Sequence, residues 1–208
     1  MSGYSTPPSG WRAVLSGALG ALLLLGGMLA VMWVLEGIDY VLGGSLDYYG
    51  IRAWDAEGLV GILFAPFLHV GFGHLIANSI PLLVLGFLAA VRGLGAFLWA
   101  TVIIMLIGGF GTWLTTPPGV IAVGASGLIF GYFGYVLGRG LFNRQIADIL
   151  IAIGVGVAYY SMLWGLLPNQ PGISWQGHLF GLIGGVVAAW ALRRRRPAAL
   201  VSPDPLGR

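Results

Sequence analysis

Residues 120–138 read VIAVGASGLIFGYFGYVLG, nineteen residues without a single charge. A helix of about 20 apolar residues crosses the ~30 Å hydrocarbon layer of a bilayer, and this stretch is close to that length. Gly127, Gly131, Gly134 and Gly138 recur along it. Small residues three to four positions apart let helices approach closely in lipid. The run therefore reads as a membrane-spanning helix with a face built for tight helix contact.

The whole chain agrees with that reading. Of its 208 residues 58% are hydrophobic and 8% charged, and the mean hydropathy is +0.91. A soluble domain of this size carries about 25% charged residues, so lipid must solvate this one. No cysteine is present, which excludes disulfide frameworks, thiol nucleophiles and cysteine metal sites. The formal charge of +3 does not indicate nucleic acid, because four of the ten basic residues form the block Arg193–Arg196 directly after an apolar run. That placement is a membrane-edge anchor. All ten basic residues are arginine, for which the sequence offers no functional reading.

Residues 1–12 (MSGYSTPPSGWR) are polar and rich in Pro and Gly, and read as a short tail. Apolar segments follow at 13–35, 68–91, 94–113, 120–138, 146–166 and 174–192, and residues 193–208 read as a basic tail. The first segment is too long for a signal-peptide core and lacks a small-x-small cleavage site. The expected fold is thus all-α, a polytopic bundle of six spanning helices over 13–192. A loop carrying Glu36, Asp39, Asp47, Arg52, Asp55 and Glu57 is expected at the interface, with Pro66 ending an interfacial piece before the second span. With six spans, nine of the ten arginines fall on the side of the termini, and only Arg52 falls opposite, with five of the seven acidic residues. The positive-inside rule then places both termini in the cytoplasm, in a cell inner (plasma) membrane. The other loops on the opposite side, TTPPG (115–119) and PNQPG (168–172), carry no charge.

Polar groups inside spans are costly and suggest function. Asn78 lies fourteen residues from Arg92, Ser126 thirteen from Arg139 and His178 fifteen from Arg193. At ~1.5 Å per residue these are depths of roughly 21, 20 and 22 Å, one layer, with His74 a turn higher. Ser126 sits in GASG (124–127), where its neighbours leave the hydroxyl uncrowded. Gly177, Gly181 and Gly185 repeat every four residues around His178, so a close pair of the fourth and sixth spans would bring hydroxyl and imidazole together. An imidazole can take the proton of a serine hydroxyl as it attacks a carbonyl. The oxyanion that follows needs fixed donors, and His74 and Asn78, at i and i+4, share a helix face from which to supply them, with the Ser126 N–H as a further donor. Asp148 lies near the opposite edge, leaving no carboxylate to orient the base, so a dyad with His178 held by packing is expected. His69 reads as a loop-stabilising donor. A zinc site has little support, because His69, His74 and His178 are the only histidines, no HExxH occurs and no intramembrane carboxylate accompanies them. No cofactor is called for.

HVGFGHLIAN (69–78), GASG (124–127) and GHLFGLIGG (177–185), in that order, resemble the rhomboid intramembrane serine proteases. The resemblance spans about residues 13–192. It implies a six-helix bundle around a water-filled cavity, with Ser126 as nucleophile, His178 as base, His74 and Asn78 at the oxyanion and Gly124 in the backbone lining the substrate strand. It implies transmembrane protein substrates in the lipid bilayer, cut near their outer ends after a small residue, and no nucleic acid. The segment 146–174 would be the movable gate and cap. Two departures stand out: Phe130 occupies a position where many members carry tyrosine, and the first loop has IRAWD (51–55) in place of a Trp-Arg pair. A non-catalytic rhomboid-like protein that binds membrane clients, and a small six-helix transporter, are the alternative readings. The absence of intramembrane acidic residues and of inverted repeats counts against the transporter.

Overall fold

A computed structural model describes residues 10–91, 93–168 and 170–193. Helix α1 (Gly10–Val41) leads into a loop of short elements: a 3₁₀ turn η1 (Ser45–Tyr49), strand β1 (Ile51–Arg52), η2 (Ala56–Val60), the one-turn α2 (Gly61–Phe64) and η3 (Ala65–Phe67). Then come α3 (Phe72–Ala90), α4 (Leu94–Thr115), strand β2 (Ile121–Ala122), α5 (Ser126–Asn143), α6 (Ile146–Ala158), η4 (Tyr160–Leu166) and α7 (Trp175–Ala191). Each expected span corresponds to one of these helices, and the chain is an all-α, multi-pass membrane protein. By length and hydropathy alone, Leu15–Val41, Phe72–Ala90 and Leu94–Thr115 can cross a bilayer, and α6 with η4, bent by 65°, makes a fourth. α5 and α7, of 18 and 17 residues, do not meet that measure. α5 is rich in glycine and tyrosine and contains Arg139, and twelve of its eighteen residues are buried among the other helices. A helix shielded by protein need not be as apolar as one facing lipid.

Several boundaries differ from expectation. α1 begins at Gly10, so only residues 1–9 of the expected N-terminal tail lie outside the described residues; of the expected C-terminal tail, 194–208 lie outside them. α1 also runs on past residue 35 to Val41, carrying Glu36 and Asp39 as buried side chains on its last turns. The fourth span does not start at 120. Residues 121–122 pair antiparallel with β1, Ile51 opposite Ala122 and Arg52 opposite Ile121, and the helix starts only at Ser126. Gly124 at φ +119° makes the bend between strand and helix, a conformation that L side chains rarely adopt.

α7 is the central helix, between α4 and α5. A Cβ on Gly181 would collide with the Gly127 carbonyl oxygen and one on Gly185 with that of Gly131. A Cβ on Gly134 would lie 2.5 Å from the Leu182 carbonyl oxygen, and one on Gly184 3.0 Å from the Ile104 Cα. Backbone thus lies directly on backbone along the α5–α7 seam. At the end of the bundle away from β2, Arg139 donates to Asp148 Oδ1 at 2.7 Å and to the Leu88 carbonyl at 2.9 Å, tying α3, α5 and α6 together. The ion pair is almost fully buried, with side chains 6% and 1% exposed.

The loop between α1 and α3 is pinned to α4 by two indoles. Trp54 Nε1 donates to the Thr116 carbonyl at 3.1 Å and Trp113 Nε1 to the Asp55 carbonyl at 2.8 Å, with the two rings 5.9 Å apart. Trp54 holds a positive φ of 62° under this clasp. Arg52 closes the loop on itself, bonding Asp55 at 2.7 Å and lying 4.2 Å over the Tyr48 ring.

Two outcomes are expected. Gly185→Ala forces α5 and α7 apart and lowers Tm in detergent, with a cost of about 1–3 kcal/mol, as overpacking does. Asp47, in η1, has its carboxyl pushed up to about 6, by burial first and then by the Asp39 and Glu36 carboxylates. The folded chain then holds a proton that the unfolded chain has lost between pH 3.8 and about 6, so stability falls as pH rises through that window. Asp47→Asn is expected to raise Tm at pH 7.5, and to bring no gain below pH 4.

Candidate active site

Ser126 is the first residue of α5, so its own N–H is among those that a helix leaves without an intrahelical acceptor, at the positive end of the macrodipole. The two amides before it are engaged elsewhere: Gly124 N–H donates to the Ala65 carbonyl at 2.8 Å and Ala125 N–H to His69 Nε2 at 3.3 Å. The turn that presents the hydroxyl is therefore held by η3 and by the residues just before α3. His69 was expected as a donor, but at this contact it accepts, since a backbone amide has only a proton to offer. His69 is 1% exposed.

His178 lies in the first turn of α7, whose start is set by Ser174. The Ser174 Oγ accepts from Gly177 N–H at 3.2 Å, and its carbonyl from His178 N–H at 3.1 Å. The close α5–α7 seam then places His178 Nε2 2.9 Å from Ser126 Oγ. Phe130, one turn below Ser126, stacks on the imidazole with ring centroids 4.1 Å apart and planes at 11°. The other ring nitrogen, Nδ1, lies 2.8 Å from the Gly165 carbonyl oxygen in η4. A carbonyl can only accept, so in the neutral ring the proton is on Nδ1 and the lone pair of Nε2 faces the serine hydroxyl.

His74 and Asn78 project from the first two turns of α3 into the same space. The Asn78 amide donates one hydrogen to the His74 carbonyl at 2.9 Å and retains a second. The His74 ring lies so close to the chain before Ser126 that a Cβ on Gly124 would sit 2.6 Å from its Cε1. Its other neighbour is the His69 ring, edge-on at 5.1 Å. Ser126, His178, His74 and Asn78 line one cavity of about 740 Å³, walled also by β2, residues 172–174 and the first residues of α7. A smaller space of about 60 Å³ lies beneath Ser126, against Gly108, Thr112 and Val123. All four side chains and Gly124 thus converge on one place. Among the described residues no group of three or more His, Asp or Glu side chains is arranged to hold a metal ion.

The family model for the Rhomboid domain matches residues 56–195. The chain belongs to the rhomboid family, a family of intramembrane proteases acting on transmembrane proteins. It is 47% identical over 171 residues to an uncharacterized protein of Mycobacterium tuberculosis (strain ATCC 25618 / H37Rv), covering 78% of this chain and 71% of the relative. The putative rhomboid protease YdcA of Bacillus subtilis (strain 168) is 34% identical over 125 residues, 59% of this chain and 62% of that protein. Rhomboid protease GluP of the same organism is 32% identical over 149 residues, 66% of this chain and 27% of that protein.

Two contributors to this rhomboid's site were not read from the sequence, the Gly165 carbonyl and the acceptor nitrogen of His69. The Gly165 contribution comes from backbone, which leaves no residue-type signal. Glycine at 165 was the available trace: its Cβ would lie 2.9 Å from His178 Nδ1 and 3.0 Å from Phe130 Cζ, so no larger residue fits. His69→Phe is expected to keep the ring volume but strand the Ala125 N–H. A buried unsatisfied donor costs about 1–3 kcal/mol, which a lower Tm in detergent will report.

Proposed function

We propose that this rhomboid hydrolyses peptide bonds within transmembrane segments through a Ser126–His178 dyad and an acyl-enzyme. The observation that carries the reading is the 2.9 Å approach of Ser126 Oγ to an imidazole nitrogen that bears a lone pair, inside a wide cavity. As Oγ attacks the substrate carbonyl carbon, its proton passes to His178 Nε2. The carbonyl oxygen becomes an oxyanion, met by the free hydrogen of Asn78, the His74 ring and the Ser126 N–H at the α5 terminus. On collapse the C–N bond breaks and the leaving amine takes the proton from Nε2. Water then repeats the sequence on the ester, giving its proton to Nε2, and Ser126 recovers a proton as the acid leaves.

The substrate must present an unwound stretch, because a carbonyl in a regular helix is bonded and shielded by its neighbours. β2 and the backbone through Gly124 lie beside the nucleophile and supply an edge against which such a stretch can extend. The 60 Å³ space under Ser126 favours a small residue before the cut bond. Nine arginines to one support a topology with both termini in the cytoplasm of a bacterial plasma membrane and the cavity facing outward.

A fluorophosphonate probe separates this reading from a non-catalytic client-binding rhomboid. Wild type is expected to label and Ser126→Ala not; equal labelling of the two would remove the protease reading. In proteoliposomes, His178→Ala is expected to abolish cleavage, and Asn78→Ala to slow it by about 10²-fold, as for one lost oxyanion donor.

A further inference from the structure

We infer that Gly165 is a positioning residue for the reaction, its main-chain carbonyl on η4 selecting the His178 tautomer that can act as base. The inference rests on the Ser126–His178 reading above.

The imidazole has two nitrogens and only one can face Ser126 with a lone pair. In water both tautomers of a neutral imidazole are populated, and the choice is made by whatever bonds the far nitrogen. Among the described residues, that bond is the 2.8 Å contact from Nδ1 to the Gly165 carbonyl oxygen. Among the described residues no carboxylate contacts Nδ1, and Asp148 is bonded to Arg139 at the other end of α5. The ring is held between two surfaces, with Phe130 stacked on it at 4.1 Å and Gly165 so close that a Cβ would stand 2.9 Å from Nδ1. Glycine is therefore required so that the carbonyl can come within hydrogen-bond range of Nδ1.

The carbonyl is supplied by the outlying part of the bundle. η4 turns away from α6 by 65° and packs principally on α6 and α7, with Tyr160 and Trp164 each 65% exposed. Phe130, by contrast, is carried by the buried α5. Nδ1 keeps its proton throughout, shared with the Gly165 oxygen, while Nε2 gains and loses the one that moves.

Replacing Leu166 by its α-hydroxy acid counterpart tests this with every side chain kept. The Gly165 carbonyl becomes an ester carbonyl, a weaker acceptor. The same exchange at Trp164, which also deletes one η4 amide, is the control. With only three histidines in the chain, ¹⁵N-imidazole NMR of the full-length protein in detergent reports the His178 tautomer directly. The expected result is that the Leu166 ester loses the uniform Nδ1–H form and at least about tenfold in kcat, with KM within about twofold, while the Trp164 ester keeps both. Gly165→Ala, whose Cβ presses on the ring, is expected to do the same more severely, by about 10²-fold in kcat. An unchanged tautomer and kcat in the Leu166 ester would overturn the inference, as would equal losses in the Trp164 control. Failure of the dyad reading looks different: wild type would show no Ser126-dependent fluorophosphonate labelling. The tautomer readout needs no turnover and decides the role of the Gly165 carbonyl in that case too.

Discussion

The site depends on one contact, the seam where α5 and α7 touch backbone to backbone. Within a bilayer there is no hydrophobic drive to press two apolar helices together, since lipid tails are as apolar as leucine. Close approach has to come from shape. Gly134 on α5 and Gly181 and Gly185 on α7 lack the side chains that would hold the axes apart. The 2.9 Å distance between Ser126 and His178 follows from that approach, because each residue sits at the same end of its helix as the other. Leucine-lined helices would cross with their axes 8–10 Å apart, and hydroxyl and imidazole would not meet.

Around this seam, much of the precision comes from main chain. The Ala65 carbonyl and the His69 ring fix the two amides before Ser126, a carbonyl in η4 faces the His178 ring, and Ser174 sets the start of α7. Main-chain groups suit a lipid-embedded site. They carry no net charge, so they orient an imidazole without burying a carboxylate, which in hydrocarbon would cost several kcal/mol. The buried ion pair of Arg139 with Asp148 is kept at the far end of α5, where it braces three helices.

The sequence made a good part of this legible. Each apolar run falls on a helix or a bent helix pair, three or four of them long and apolar enough to span by that measure alone, and glycine spacing predicted the α5–α7 contact. Distances counted from the arginines put Ser126, His178 and Asn78 in one layer, and the structure brings them to one cavity. What failed was tied to local geometry rather than composition. Residues 120–125 are as apolar as the helix that follows, so hydropathy could not separate strand and bend from helix; the pairing with Ile51 and Arg52, nearly seventy residues away, decides it. In the same way α1 runs past its apolar core because Glu36 and Asp39 are buried against neighbouring elements. The loop of 51–55 lacks the pair that many rhomboids carry, yet Trp54 and Trp113 clasp it to the end of α4, each indole donating to a carbonyl beside the other tryptophan, a partnership that spacing does not reveal. Gly165 acts through an oxygen that every residue type possesses.

The late start of α5 carries a consequence for depth. Had the helix begun at residue 120, its first six residues would have filled a column of about 9 Å at the very place where Ser126 now stands free. The open space above Ser126 is that missing column, and its floor is the first residue of the shortened helix. The depth of the proposed nucleophile is therefore set by how many residues β2 and its bend withhold from the helix, so moving the bend along the chain would move that hydroxyl along the helix axis, about 1.5 Å for each residue.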